Sequence, residues 1–528
     1  MTLGRGRSGA AVLVLVLGAA LGAAAGCDAP PASVPVPSGL LAEQLAIPDD
    51  DQLAAELADA IELKHRGDLE RAVDALEPGE QLSHATLSQL ALDREVFTLD
   101  DLFRAGDDLF AYQFRTEQGL GNALAGRTGT LAGPRPAPNL RRVQAGRFGG
   151  PDAHACGDCH AVGGDDGAGS LTQNSYLAGD GDQVTTADAR NPPMLLGGGP
   201  IERLATEMSE DLAAQREAAI AEATAGGVAV TVMLTAKGVG FGTLIARADG
   251  TVDTTAVAGV SPDLIVRPFG WKGQTATLRE TIKEAFRIQL GLVALSDQQA
   301  VRDGRVAATL FGDGPWFDVD RDGITIEVED GMVSTMVAYL AQLEIPIIEP
   351  PDDPDLLDRF ARGRGAFERA QCSGCHVPAL MLDSPLLTTA AEQTENGASP
   401  RLTIDVARDG LRPKIEPIDQ PGSAFTVRLF SDLRRHDLGP ALAAPGPHPT
   451  SGGPVAAEVW LTRPLWGLAD TAPYLHDGRA PTIVDAIRAH GGEAAPSRGA
   501  FAALSADDRA ALLVYLSSLA RTRRVVIR

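Results

Sequence analysis

Residues 156–160 read CGDCH and residues 372–376 read CSGCH, so the chain carries the same five-residue motif twice. A CxxC pair followed directly by a histidine is typical of covalent attachment of a c-type haem. The two thiols add to the two vinyl groups of one porphyrin, and the neighbouring histidine binds its iron. The sequence therefore predicts two haems c, one on Cys156, Cys159 and His160 and one on Cys372, Cys375 and His376.

The cysteine count leaves two other readings open. Four of the five cysteines belong to the two motifs. A structural zinc site would require both CxxC pairs to converge on one ion, and a redox dithiol would use a CxxC pair without needing the histidine. If both haems attach, no motif thiol remains for thiol–disulfide chemistry.

Residues 1–27 are predicted to be a lipoprotein signal peptide. Arg5 and Arg7 give a positive start, and the apolar run at 10–25 is shorter than a membrane-spanning helix requires. The run ends in AAGC at Cys27, which resembles the bacterial lipobox, where the cysteine is lipidated. We therefore expect an exported, periplasm-facing protein that a lipid on Cys27 anchors to a bacterial membrane. The alternative is a plain secretory signal with an incidental cysteine.

The amino-acid composition limits the kinds of partner that the chain can bind. The 528 residues include 70 acidic and 46 basic side chains, which gives a formal net charge of -24. Such a chain repels nucleic acid and anionic lipid surfaces. It suits a small basic electron-donor protein, although acidity also serves solubility alone.

The predicted fold is mainly α, with two cytochrome c-like haem domains, a small β insertion and a helical N-terminal extension. Apolar residues at helical spacing predict helices at 202–225, 277–290, 355–369 and 505–521, and alternating β-branched residues predict strands within 228–266. The predicted segments are the signal peptide at 1–27, a tether and helical extension at 28–100, an N-terminal haem c domain with the β insertion and a calcium-like loop at 101–345, a linker at 346–354 and a C-terminal haem c domain at 355–528.

A family resemblance is carried by four segments, Arg267–Phe286, Leu429–Pro440, Thr462–Ala494 and Leu504–Leu519, with a weaker match at Arg190–Leu204. Together they resemble the di-haem c-type oxidoreductases, which are also described as thiol oxidoreductases. These are relatives of the bacterial di-haem cytochrome c peroxidases and of the di-haem enzyme that matures tryptophan tryptophylquinone. The resemblance runs from about Asp101 to the C-terminus.

The resemblance implies an oxidoreductase of peroxidase-like type. Its C-terminal haem would take electrons from a small donor, of cytochrome c or cupredoxin type, and pass them to a reactive N-terminal haem. Peroxide or another small oxidant would be the substrate. The alternative is a non-catalytic electron-transfer di-haem lipoprotein, in which both irons have two protein ligands.

The resemblance also indicates the second ligand of the C-terminal haem. His476 lies in PYLHDG, and His490 follows it by fourteen positions, the interval at which the related peroxidases place their distal ligand. His490 would then complete a bis-histidine haem. A histidine that only caps the preceding helix is the alternative.

The N-terminal haem has no clear distal ligand in the sequence, although Met194 is one option. An open iron would bind peroxide there. Glu202 is the candidate acid–base residue, with a plain helix-terminal carboxylate as the alternative. His436 and His476 are expected to be catalytic or pocket residues. Trp271 is expected between the haems, unless it only packs in the core.

A further motif predicts a calcium site. In the sequence DVDRDGITIEVE, the residues Asp318, Asp320, Asp322, Gly323 and Glu329 occupy positions 1, 3, 5, 6 and 12 of an EF-hand-type loop. Alternating carboxylates can converge on one hard cation, and the glycine permits the sharp turn. An acidic surface turn is the alternative.

Overall fold

The computed structural model describes most of the chain from Phe97 onward. The described residues are 92, 97–121, 153–164, 166–169, 175–177, 188–307, 314–390, 401–418 and 424–521. The predicted signal peptide, the lipidation site Cys27, the tether and nearly all of the helical extension lie outside the described residues.

The described part of the chain is mainly helical, as predicted. Its α-helices, in chain order, are α1 Leu99–Ala111, α2 Gly198–Gly226, α3 Leu278–Ala285, α4 Leu295–Arg302, α5 Asp330–Gln342, α6 Pro354–Arg369, α7 Ile483–Ala489, α8 Ala495–Ala503 and α9 Ala506–Leu516. None of the described helices is both long and apolar enough to cross a membrane.

Small antiparallel sheets lie between the helices. The strands are β1 Ser175–Leu177, β2 Asp188–Arg190, β3 Val230–Ala236, β4 Val239–Ala246, β5 Val252–Asp253, β6 Ile347–Ile348, β7 Leu380–Leu382, β8 Leu386–Ala390, β9 Arg401–Asp405, β10 Glu416–Pro417, β11 Phe425–Val427, β12 Arg435–Asp437, β13 Val459–Leu461 and β14 Leu519–Ala520. The strand pairings are β1-β2, β3-β4-β5, β10-β11-β7, β8-β9, β12-β13 and β14-β6.

Several elements follow the sequence pattern closely. The helix predicted at 202–225 starts four residues earlier, at Gly198, and ends at Gly226, where Gly227 adopts a left-handed conformation that stops it. The predicted β insertion is the three-stranded sheet β3-β4-β5. The helix predicted at 277–290 begins after Thr277, whose side chain accepts the N–H of Glu280 as an N-cap.

The predicted C-terminal helix is too long. It ends at Leu516, and β14 then pairs with β6, Leu519 opposite Ile348. The segment predicted as a linker therefore contributes a strand. Backbone pairing with a distant strand cannot be read from helical periodicity, so the sequence pattern did not indicate it.

The main core surrounds α5, in which every residue is buried. Helix α1 packs on it at Gly106, where an added Cβ would lie 3.0 Å from the Thr335 carbonyl oxygen and would clash with Tyr339. A small residue at this crossing lets the two helix backbones approach closely. This contact holds the residues before the first CxxCH motif against the centre of the core.

A second apolar cluster lies around α6 and α9, and it contains Phe367, Phe430 and Tyr515. The rings of Phe367 and Tyr515 are 5.9 Å apart between centroids, and those of Phe367 and Phe430 are 6.0 Å apart. Helix α6 ends immediately before CSGCH, and Gln371 turns the chain with a positive φ of 59°. The α6–α9 pair therefore positions the second motif.

We expect Gly363→Ala to destabilise the protein by about 2 kcal/mol, because overpacked helix contacts cost this much. The new Cβ would clash with the Ala511 carbonyl and lie 2.6 Å from Cβ of Tyr515. The matched control is Gly365→Ala in the same helix, where the nearest atom is the mobile end of Arg369 at 3.2 Å. The control should be neutral or stabilising by up to about 1 kcal/mol, since alanine favours helix. Chemical denaturation checks both, and equal stability of the two variants would contradict the packing.

Candidate haem sites

The two CxxCH motifs form the same backbone turn. In the first, the amides of Cys159 and His160 both donate to the Cys156 carbonyl, at 3.1 and 3.2 Å. In the second, the amides of Cys375 and His376 both donate to Cys372, at 3.3 and 2.9 Å. The turn places each histidine directly beside its cysteine pair.

Both motif histidines are oriented through one ring nitrogen. Nδ1 of His160 lies 3.2 Å from the Gly167 carbonyl oxygen, and Nδ1 of His376 lies 3.0 Å from that of Phe430. Burial lowers the pKa of each imidazole to about 4. A neutral ring with Nδ1–H bound to a carbonyl presents the Nε2 lone pair, which is the arrangement of a metal-binding histidine.

The structure argues against the two other uses of the cysteines. Among the described residues, the clusters able to hold a metal are Cys375 with Asp432 and His436, and the three aspartates of the 318–322 loop, so the two CxxC pairs do not converge as in a zinc site. Burial raises the pKa of the Cys156 thiol to about 12 and that of Cys372 to about 11. These two thiols are therefore protonated at neutral pH and are poor nucleophiles.

His490 lies opposite His376. Their ring centroids are 6.5 Å apart, and Nδ1 of His490 lies 2.7 Å from the Ala486 carbonyl oxygen. Two imidazoles on opposite sides of one metal ion, each with a nitrogen about 2 Å from it, have centroids roughly 6 Å apart. The spacing therefore fits one iron between them. His490 is also the C-cap residue of α7, so its position is compatible both with iron binding and with capping of this helix.

A largely apolar cavity surrounds this pair of histidines. Its walls include Cys372, Cys375, His376 and His490, together with aromatic and aliphatic side chains from several segments, among them Phe367, Trp466, Ile483, Ile487 and Leu516. Thiols, opposed imidazoles and apolar walls are what a covalently attached porphyrin requires. The residues present therefore fit a haem c.

His436 does not point a free nitrogen at this cavity. Its Nε2 lies 2.8 Å from Asp432 and its Nδ1 lies 2.8 Å from Glu493. Burial opposes a charge on this ring, but the hydrogen bonds with Asp432 and Cys375 outweigh it and raise the pKa to about 10. His436 thus links the loop after the second motif, through Asp432, to the loop after His490, through Glu493.

His476 and Trp271 lie in one aromatic stack. His476 stacks on Trp460 at 3.9 Å between centroids, and Trp271 meets His476 edge-on at 6.4 Å. Nζ of the buried Lys272 lies 3.5 Å from the centroid of the Trp460 ring. Its Nζ also donates to three backbone carbonyls, those of Ala456, Ala457 and Val459.

The stack reaches the segment that precedes α2. Trp271 Nε1 donates to the Asn191 carbonyl at 2.7 Å, and the Asn191 amide donates to the His476 carbonyl at 2.7 Å. Trp271, His476 and Met194 all line the cavity of the second motif. Met194, considered as a ligand of the first haem, therefore lines the cavity of the second motif, while its neighbour Leu195 donates its amide to the Asp166 carbonyl beside the first motif.

Glu202 lies in the first turns of α2 and is buried. Its Oε2 accepts a hydrogen bond of 2.6 Å from the amide of Leu278, which is the first residue of α3. Burial raises its pKa to about 7. Glu202 thus caps a neighbouring helix, and a catalytic role for it remains a prediction.

A buried carboxyl beside the first motif was missed by the sequence analysis. The hydroxyl of Tyr339 lies 2.8 Å from Asp166 and 2.9 Å from Asp107. Burial raises the pKa of Asp166 to about 7. Asp166 stands in a Gly- and Asp-rich stretch that reads as a solvated loop, and only its tertiary contact with α5 reveals its burial.

The calcium-like loop brings its three aspartates together. The carboxylate oxygens of Asp318, Asp320 and Asp322 lie within 4.8 Å of one another. Glu329, expected at position 12, is the N-cap residue of α5.

Residues 416–519 match the family model described as "Di-haem oxidoreductase, putative peroxidase". The predicted resemblance to the di-haem oxidoreductases is confirmed for this segment. The matched segment contains His436, His476 and His490 and begins after the second CxxCH motif. The chemistry of this family, oxidation and reduction at haem, agrees with the cavity described above.

Two solved structures similar to this chain are the hydrazine synthase of Kuenenia stuttgartiensis and a MauG-like protein associated with microbial copper homeostasis. The first is 18% identical, with a TM-score of 0.19, over 36% of this chain and 55% of its own. The second is 17% identical, with a TM-score of 0.25, over 52% of this chain and 77% of its own. The chain thus spans about half the length of the hydrazine synthase chain. No curated protein matches.

We expect His436→Ala to lower the stability of the protein by about 3 kcal/mol, because removing one partner of a buried ion pair leaves the other charge unpaired. The buried Asp432 would lose its partner. The matched control is His448→Ala, a half-buried histidine without an ion pair among the described residues, which should change stability by less than about 1 kcal/mol. Thermal unfolding of the two variants checks this, and equal melting temperatures would contradict the bridging role of His436.

Proposed function

We propose that this di-haem oxidoreductase reduces peroxide, with a six-coordinate electron-transfer haem at the second motif and a reactive haem at the first. The observation that carries the proposal is the opposed pair His376 and His490, 6.5 Å apart between ring centroids in a cavity that Cys372 and Cys375 also line. A haem c supplies one-electron redox chemistry, and it supplies peroxide chemistry where its iron has an open position.

The protein's part at the second site is to fix two neutral imidazoles. The Phe430 and Ala486 carbonyls hold the Nδ1 atoms, and burial keeps both rings unprotonated. If His376 and His490 both bound the iron of a haem held here, no position on that iron would remain for a substrate. The site is therefore suited to electron transfer alone.

The first site is proposed to be the reactive one. His160 would be its axial ligand, and Cys156 and Cys159 would hold the porphyrin. Glu202 is the proposed proton-holding group, because a buried carboxyl with a pKa near 7 can both give and take a proton at neutral pH. Its hydrogen bond to Leu278 fixes its orientation.

Electrons are proposed to move from the second site toward the first through Trp271. Its indole lines the cavity of the second motif and donates to Asn191, in the segment that leads into α2 and Glu202. His476 packs against the same indole and is proposed as a pocket residue that holds it in place.

The donor is proposed to be a small basic protein of cytochrome c or cupredoxin type, because the formal net charge of -24 favours a cationic partner.

We also propose export and lipid anchoring at Cys27, supported by the signal-like residues 1–27. Cys27→Ser should move the protein from the membrane fraction to the soluble periplasmic fraction. A variant that still sediments with membranes would contradict the anchor.

The spin states of the irons test the proposed division of labour. In the oxidised protein, we expect electron paramagnetic resonance to show one low-spin haem and one high-spin haem. Added cyanide should convert only the high-spin signal. His490→Ala should convert the low-spin haem to high spin, because its iron loses one imidazole, whereas His448→Ala should leave both signals unchanged.

Two results would contradict the proposal. A low-spin signal that survives in His490→Ala would remove His490 as a ligand. Two low-spin haems that ignore both cyanide and peroxide would identify a pure electron-transfer protein instead of an enzyme.

A further inference from the structure

The acidic side chains of the loop before α5 converge on one point. The carboxylate oxygens of Asp318, Asp320 and Asp322 lie within 4.8 Å of one another. Gly323, with a φ of 95°, provides the left-handed turn that follows the third aspartate. An acidic cluster alone could be a solvated turn, so the burial of its members decides whether it can be a site.

Asp320 is not a solvated side chain. It is 1% exposed, and its Oδ2 has no hydrogen-bond partner among the described residues. Its other oxygen receives only a long contact from the Asp322 amide, at 3.4 Å. A buried carboxylate oxygen without a partner is costly and rare in native proteins, and a bound cation would remove that cost.

Glu327 adds a second oxygen of this kind. It is also 1% exposed; its Oε2 accepts the amide of Val293 at 2.7 Å, while its Oε1 has no partner in the described part of the chain. Val293, whose amide binds the other Glu327 oxygen, packs with Val319 between Asp318 and Asp320, which places Glu327 beside the loop. One unpartnered oxygen thus belongs to the converging aspartates, and a second, on Glu327, lies on a segment packed against the same loop.

We propose that Asp318, Asp320, Asp322 and Glu327 bind one Ca²⁺ ion. Four carboxylates in a loop are hard oxygen ligands, and the variable geometry of a loop suits Ca²⁺ better than the strict octahedron that Mg²⁺ demands. The glutamate ligand is thereby two residues earlier than the EF-hand pattern places it, and Glu329 instead begins α5.

The position of the site gives the ion a structural role. Val293, whose amide Glu327 binds, packs with Val319 of the loop in a small apolar cluster. The Val328 carbonyl accepts the amide of Leu295 at 2.9 Å, which joins the loop to the start of α4. Calcium would neutralise the carboxylates and fix this junction at the start of α5, whose Tyr339 contacts Asp166 near the first haem motif.

Calcium titration of the chelator-treated, haem-loaded full-length protein tests the site. We expect calorimetry to detect one Ca²⁺ per chain, and added Ca²⁺ to raise the melting temperature. Asp320→Asn and Glu327→Gln should each weaken binding at least about tenfold, as loss of a charged ligand does. In the absence of calcium, both variants should melt at or above the wild-type temperature, because each removes repulsion between carboxylates.

Glu329→Gln is the matched control and should bind calcium as the wild type does. No calcium binding by the wild type, or equal stabilisation by Mg²⁺, would overturn the assignment to calcium. Loss of binding in Glu329→Gln with retention in Glu327→Gln would overturn the ligand set.

Discussion

The opposed rings of His376 and His490 are the constraint on which the second site depends. Each ring is held by a carbonyl at its Nδ1 atom, one from Phe430 and one from Ala486, so that the two remaining nitrogens can face one iron. The two residues lie more than a hundred positions apart, and a small displacement of either segment would separate their rings. Several contacts in the surrounding structure hold the two segments in place.

Two structural devices fix the two sides. The α6–α9 pair, closely packed at Gly363, presents the CSGCH turn from one side. The ion-paired His436 joins Asp432, behind this turn, to Glu493, three residues after His490. Because His436 uses both ring nitrogens for carboxylates, it contributes to geometry and not to iron binding. The aromatic stack of Trp271, His476 and Trp460, anchored by the buried Lys272, extends the same region toward Asn191 and α2.

The features that could be predicted from the sequence are those that depend on residues close together along the chain. The CxxCH motifs, the interval between His476 and His490, and the three aspartates at 318, 320 and 322 each depend on spacing within one short segment. Helix α6 was predicted to within one residue because its apolar period is also local. The 6.5 Å between the ring centroids of His376 and His490 is close to the spacing that the ligand pair implied by the resemblance would need, and the pair stays a prediction.

The features that could not be predicted from the sequence depend on contacts between distant segments. Glu327 adjoins the aspartate loop because the Val293 amide holds its other oxygen, which no pattern reveals. Asp166 is buried by Tyr339, and β14 forms because β6 lies beside it. The carboxylates that occupy both nitrogens of His436 come from positions 432 and 493, and the more distant one, Glu493, carries no signal in its own neighbourhood.

The central claim is that each CxxCH motif carries one covalently attached haem. Intact-mass measurement of the denatured mature protein tests it most directly. We expect the mass of the polypeptide and its lipid plus two haems, and the loss of one haem when Cys372 and Cys375 are both replaced by serine. A mass without added haem, or haem that is released when the chain is denatured, would contradict it.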